Sequence, residues 1–242
     1  MNISEWCMSD STINQPSLIY ENENWMVYNK PSQWHSVRPG HQSTSDQVGE
    51  PSVEKFLEEK YSWARTIPEC GIVHRLDYLT SGCLLIARSE PEQLRLRSMF
   101  KDTNQSVVKS YYAVVKHQLA PQTGEFTLYF SSRYRRSKKI TVRNEGIENQ
   151  RGCCKWHIQN YIPQSGSSIQ PCDVLVVDIL GPGKRHQIRA GLAHLGFPIH
   201  GDQLYGGRYP WQGGFGLHAC RLCIDNQKIE CPPPESWNLI IQ

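Results

Sequence analysis

A histidine, an arginine and an aspartate lie within four residues of one another in Gly71-Ile72-Val73-His74-Arg75-Leu76-Asp77-Tyr78-Leu79-Thr80-Ser81-Gly82. A carboxylate in such a turn can act as a nucleophile or a general base. To do so it must be kept ionised and aimed, which a nearby guanidinium achieves by favouring the charged form. The alternative for Asp77 is structural, an Asx contact capping the turn. A second segment, Gly183-Lys184-Arg185-His186-Gln187-Ile188-Arg189, reads as a glycine-rich turn opening a basic helix. Its amides and cations could hold phosphate. On a helix Arg185 and Arg189 share a face, and either is a candidate partner for a distant carboxylate. The alternative is a solvated basic face, and P-loop spacing is absent.

Two further groups bear on the same chemistry. In Lys109-Ser110-Tyr111-Tyr112-Ala113, strand alternation puts Lys109 and Tyr111 on one face and Tyr112 on the other. One tyrosine can then point into a site while the other packs. Between Ser131 and Asn144 stand Arg133, Arg135, Arg136, Lys138, Lys139 and Arg143, with no acid among them. Such a cluster is either a phosphate-contacting patch or a solvated loop.

Other chemistries find little support. Cys220-x-x-Cys223 has no second cysteine pair at zinc-ligand spacing. The nine histidines form no HExxH pattern and no serine sits in a GxSxG elbow. No metal or cofactor is expected. The nine cysteines are odd in number and no secretory signal precedes them, which points to reduced thiols and a cytoplasmic setting. No apolar run is long enough for a membrane span. A net charge of +3 over 242 residues neither demands nor excludes nucleic acid.

The elements that must position these groups follow from the apolar pattern. Leu18–Tyr20 and Trp25–Tyr28 predict a hairpin. Helices are predicted over 53–61 with Ser52 as N-cap, from Pro91 at the first helical position to about Asp102, and over 185–195. Cys83–Ala87 is a continuous apolar run, expected as a strand buried on both faces. Further strands are predicted at 107–117, 124–130, 139–143, 151–161, 173–180 and 216–224. Strands outnumber helices without alternating with them. The fold class is therefore α+β, a mixed and mainly antiparallel sheet core with flanking helices. Residues 1–17 read as a flexible N-terminal arm and 18–242 as one domain.

Taken together, the segments resemble the RluA family of RNA pseudouridine synthases. The resemblance rests on Asn29-Lys30-Pro31-Ser32, His74-Arg75-Leu76-Asp77-x-x-Thr80-Ser81-Gly82 and Lys109-x-Tyr111-x-Ala113. It continues through His186-Gln187-Ile188-Arg189, Leu195-Gly196-Phe197-Pro198-Ile199-x-Gly201-Asp202-x-x-Tyr205-Gly206 and Leu217-His218-Ala219, all in family order. It implies the pseudouridine synthase catalytic fold without a separate S4-type domain. It implies Asp77 as catalytic nucleophile, Tyr111 stacking on the base and assisting proton handling at C5, and Arg189 as the ion-pair partner of Asp77. Arg75 would fill the space left by an extruded base, and Ile188 or Leu217 would pack on the uracil. His74, Lys109, Lys184, Arg185, His186 and Gln187 join Arg133, Arg135, Arg136, Lys138 and Lys139 as expected RNA contacts. The implied partner is structured ribosomal or transfer RNA, met by a monomer with no obligatory protein partner. Three positions depart from the family pattern: Lys184 replaces an arginine, Ala190-Gly191 follows the Ile-Arg pair, and Gln33 replaces a glycine.

Overall fold

The computed structural model describes residues 15–39, 49–102, 106–117, 119–134, 137–162, 171–207 and 214–237. The first two strands, β1 (Ser17–Glu21) and β2 (Trp25–Lys30), form the expected hairpin. Helix α1 (Val53–Lys60) follows, its first turn capped by the Ser52 side chain accepting the Lys55 N–H. Then come β3 (Ser81–Ala87) and α2 (Glu90–Lys101). Ser89 caps α2, so Pro91 is its second residue and not its first. The chain continues through β4 (Val108–Lys116), β5 (Thr123–Ser131), β6 (Thr141–Arg143), β7 (Arg151–Ile162) and β8 (Cys172–Leu180). It closes with α3 (Gln187–His194), β9 (Leu217–Ile224) and β10 (Gln227–Glu230).

All ten strands belong to one sheet in the order β1-β2-β3-β9-β4-β8-β7-β5-β6, with β10 paired to β9. Every pairing between these strands is antiparallel except β3 with β9, which run parallel through Ser81–His218 and Gly82–Ala219. The sheet is thus mixed and mainly antiparallel. Gly82 makes the parallel contact feasible. Its φ is +112°, and a Cβ there would meet the Ala219 carbonyl oxygen at 2.3 Å.

Burial divides the sheet into two cores. One lies on β2 and β3, where Trp25, Met26, Tyr28, Leu84 and Ile86 pack with Leu57 of α1 and Leu96 of α2. All seven residues of β3 are buried, as its continuous apolar run requires. The other core lies on β4, β5, β7 and β8, where Phe126, Trp156, Leu175 and Val177 meet Ile188 and Leu192 of α3. Tyr111 of β4 packs against both cores and so marks their junction.

Two expectations need correction. Helix α3 starts at Gln187 and not at 185, because His186 takes a left-handed backbone conformation (φ +55°) that breaks helical continuity. Arg185 and Arg189 therefore do not share a helical face. Strand β10 was not anticipated. It is turned by Asp225-Asn226, both at positive φ, a signature of tight two-residue hairpins. Gly191, one of the departures from the family pattern, has a packing reason, since a Cβ there would meet the Phe126 ring at 2.4 Å.

Candidate active site

The loop carrying Asp77 is fixed by backbone it does not adjoin in sequence. The Val73 N–H donates to the Leu85 carbonyl at 3.0 Å, and the Thr80 N–H closes a turn on the Asp77 carbonyl at 3.0 Å. On the other side, the Ser36 hydroxyl accepts the Leu76 N–H at 2.9 Å and donates to the Leu76 carbonyl at 3.1 Å. The Ser32 hydroxyl donates to Leu79 O at 2.7 Å. Lys30 is fully buried, yet its ammonium donates to Pro31 O at 2.8 Å, Trp34 O at 2.7 Å and Tyr78 O at 3.3 Å. It ties the residue after Asp77 to the 31–34 turn. Burial pulls the Lys30 pKa down to about 7, against the charge of Asp77, which raises it.

Helix α3 supplies the opposing cation. Arg189 Nη1 donates to Asp77 Oδ2 at 2.9 Å. Its other face is held by Asp202, with Nε to Oδ2 at 2.8 Å and Nη2 to Oδ1 at 3.0 Å. The guanidinium also lies 5.4 Å from the Tyr205 ring centroid and 5.2 Å from that of Phe215. The Arg189 side chain is 7% exposed and that of Asp202 1%, whereas Asp77 retains 24%. Burial works to lower the Arg189 pKa, but the hydrogen bonds and charges of Asp202 and Asp77 outweigh it and raise the pKa, so the guanidinium stays charged. A bidentate pair locks the guanidinium plane, and that locked plane presents one N–H to the single partly exposed acid.

The remaining residues flagged in the sequence divide into three groups. Tyr111 stands at the core junction, its phenol pushed upward in pKa by burial and by the charge of Asp77. Ile188 and Leu217 are buried in the core against which Tyr111 packs. His186 Nε2 lies 3.7 Å from Asp77 Oδ1. Of these, His186 and Tyr111 lie near Asp77.

A second group makes its contacts within the fold. His74 Nε2 accepts the Leu85 N–H at 3.2 Å and its ring stacks on Phe100, with burial lowering its pKa to about 3. The buried Lys109 ammonium donates to Gly181 O at 2.7 Å and sits over Phe100. The buried Gln187 amide donates to Cys153 O at 2.9 Å and accepts the Lys184 N–H at 2.8 Å. On helix α2, Arg95 bridges Glu92 and Asp225, and Arg97 pairs with Glu69 and the Ile72 carbonyl. His218 is held between Ser81 Oγ and Cys231 O, not turned to a metal.

The third group stays at the surface. Arg75, Arg133, Lys138, Lys139 and Arg185 are exposed. Arg133 lies over the Tyr134 ring, and Arg185 reaches the Ser137 carbonyl. Lys184 is half-buried and donates to Asn149 O at 2.8 Å. Arg135 and Arg136 lie outside the described residues.

Sequence reasoning passed over three members of the cluster. Asp202 and Tyr205 fall inside the quoted Gly201-Asp202-x-x-Tyr205-Gly206 segment, and Lys30 inside Asn29-Lys30-Pro31. The motifs flagged the segments without saying that these side chains turn inward.

Known proteins share this arrangement of segments. Among curated relatives, the large-subunit ribosomal pseudouridine synthase D of Buchnera aphidicola is 28% identical over 192 residues, 78% of this chain and 54% of that protein. Synthase C of Rickettsia conorii is 28% identical over 212 residues, 87% of this chain and 63% of that protein. The chain thus spans a little over half the length of these relatives. Among solved structures, the human RNA pseudouridylate synthase domain containing 1 aligns over 95% of this chain and 87% of its own, with TM-score 0.67 and 23% identity. Human domain containing 4 aligns over 93% and 92%, with TM-score 0.64 and 18% identity. These two show a common fold. The family model for RNA pseudouridylate synthases matches residues 24–194, from β2 to the end of α3, and the chain belongs to that family.

Proposed function

We propose that this chain isomerises uridine to pseudouridine in ribosomal RNA, with Asp77 as the reacting carboxylate. The observation that carries this reading is the partly exposed Asp77 held by a buried arginine whose plane is fixed by two further hydrogen bonds to Asp202. Family membership and the names of the relatives support it. Transfer RNA is the alternative substrate.

The reaction breaks the N1–C1′ bond, turns the uracil and rejoins it through C5. Its atoms balance without an external oxidant or reductant, so the chain's own residues suffice. Cleavage builds oxocarbenium-like character at C1′, which a fixed carboxylate stabilises. From that position Asp77 could capture C1′, add to C6 of the ring, or take a proton from the sugar. Arg189 keeps the carboxylate oriented through each of these. Tyr111 would stack on the base and assist at C5. Half-buried and kept protonated at neutral pH, its hydroxyl would act there as a hydrogen-bond donor. A uridine within a helix must first be extruded, and the exposed Arg75 would take the vacated space. The cations of the β5–β6 hairpin, Arg133, Lys138 and Lys139, would contact phosphate and set register without reading sequence. Recognition by a monomer without a protein partner completes the reading.

The test uses large-subunit ribosomal RNA transcribed with [5-³H]uridine, since C5 loses its hydrogen as the new bond forms. The wild-type protein releases tritium to solvent and Asp77→Asn does not. Full release by Asp77→Asn, or RNA binding by wild type without release, would overturn the reading.

A further inference from the structure

Arg189 engages Oδ2 of Asp77, and the group facing Oδ1 is His186. Its surroundings specify how that imidazole is held. The Tyr205 hydroxyl accepts the Ile140 N–H at 2.8 Å and lies 2.9 Å from His186 Nδ1. An unprotonated Nε2 would turn its lone pair on the Asp77 carboxylate, so the site favours the tautomer with its proton on Nε2, and the Tyr205 hydroxyl can then donate to Nδ1 while accepting the Ile140 amide. Nε2 is the nitrogen 3.7 Å from Asp77 Oδ1. The two rings meet edge to face at 90°, which restrains rotation of the imidazole. The His186 backbone sits in the left-handed region, unfavourable for a residue with a Cβ and sustained here by its surroundings.

We propose that His186 is a positioning residue for Asp77: Tyr205 supports its tautomer at Nδ1, and its Nε2–H steers Oδ1, the oxygen Arg189 leaves open. This rests on the reading of Asp77 as the reacting carboxylate. The gap of 3.7 Å exceeds hydrogen-bond length, so the N–H orients Oδ1 without quenching it. Protonation would change that relation. An imidazolium would place a second full cation on Asp77 and weaken it as nucleophile or base. The groups facing His186 are Asp77 from the loop before β3, Asp202 and Tyr205 from the loop after α3, Arg189 on α3 and Arg185 beside it. Lys139 sits over the far ring of Tyr205. Burial lowers the His186 pKa, assisted by the two arginines and opposed by the two aspartates. The neutral form therefore prevails at neutral pH.

Three variants and one spectrum test the proposal, with tritium release as the assay. His186→Asn tolerates the left-handed backbone but is too short to reach Oδ1. Its kcat is expected to fall about 100-fold, the scale of a misaimed reacting group, with KM little changed. His186→Gln restores an N–H near the Nε2 position and cannot titrate. It is expected to recover most of kcat at pH 8 and to lose the acid limb of the wild-type pH profile. Tyr205→Phe removes the support at Nδ1 and is expected to lower kcat about tenfold, one hydrogen bond's worth. Nitrogen-15 NMR of the wild type should report the proton on Nε2. A proton on Nδ1, or Asn and Gln variants matching wild type at every pH, would overturn the proposal. Activity in Asp77→Asn would instead overturn the reading of Asp77 beneath it.

Discussion

Arg95 on α2 and Arg189 on α3 are wired alike. Each is a guanidinium shared between two carboxylates, Glu92 and Asp225 for the first, Asp202 and Asp77 for the second. What differs is water. The Arg95 side chain is 44% exposed and that of Arg189 is 7% exposed. At the surface, solvent screens the attraction and the long side chain loses rotamer entropy in making it, so such a pair contributes little. In the interior, each charge depends on the others because water cannot replace a missing partner. The same constellation is a surface detail in one place and a positioning device in the other.

The largest effect separating the two should come from Arg189→Met. It leaves Asp202 and Asp77 facing each other, one of them almost without solvent, and should cost about 3–5 kcal/mol of stability. Urea denaturation measures that cost, and tritium release should vanish. Asp202→Asn keeps the Asp77 contact and removes the opposite anchor. It should cost about 2–3 kcal/mol, in the range for a hydrogen bond to a charged partner, and lower kcat more than it raises KM. Arg95→Ala should cost less than about 1 kcal/mol with activity unchanged. A loss at Arg95 as large as that at Arg189 would show that burial does not separate them.

Between these extremes falls a pH effect. His218 is fully buried, and burial lowers its pKa to about 4. Between pH 6.5 and 4 the unfolded chain binds a proton that the folded chain refuses, so stability falls as the medium is acidified through that window. At about 1.4 kcal/mol per pKa unit the decline reaches at most about 3.5 kcal/mol. His74 acts in the same direction, down to about pH 3. The decline should flatten in His218→Gln, followed by chemical denaturation at stepped pH.

Local signals in the sequence carried the elements, because those depend on neighbours. The apolar run at Cys83–Ala87 dictated a strand covered on both faces and Ser52 capped the helix it precedes, whereas the start of α2 was placed one residue late. The Asp-Arg pairing was also legible, since its members stand in two motif segments of fixed order. Interior polar contacts were not. Lys30 sits in an Asn-Lys-Pro stretch that reads as a solvated turn, and lysine is seldom buried. Its ammonium finds acceptors only where the chain turns back on it, at Pro31, Trp34 and Tyr78. Lys109 and Gln187 satisfy the carbonyls of Gly181, just after β8, and Cys153 in β7, partners distant in sequence that no local pattern reveals. The start of α3 was misplaced because a left-handed histidine has no signature of its own.

The parallel contact at Gly82 has a consequence for how the molecule is made. Strand β9 stands between β3 and β4, and thus between the half that carries Asp77 and the half that carries Arg189. During synthesis both halves emerge from the ribosome before β9 does. Until residues 217–224 arrive, no strand-to-strand hydrogen bonding joins them along the sheet. Sequence-distant pairing of this kind forms late. Assembly of Asp77 with Arg189 is thereby tied to the translation of β9, the ninth of the ten strands. A nascent chain that stops short of β9 holds both residues without the strand that joins their halves of the sheet.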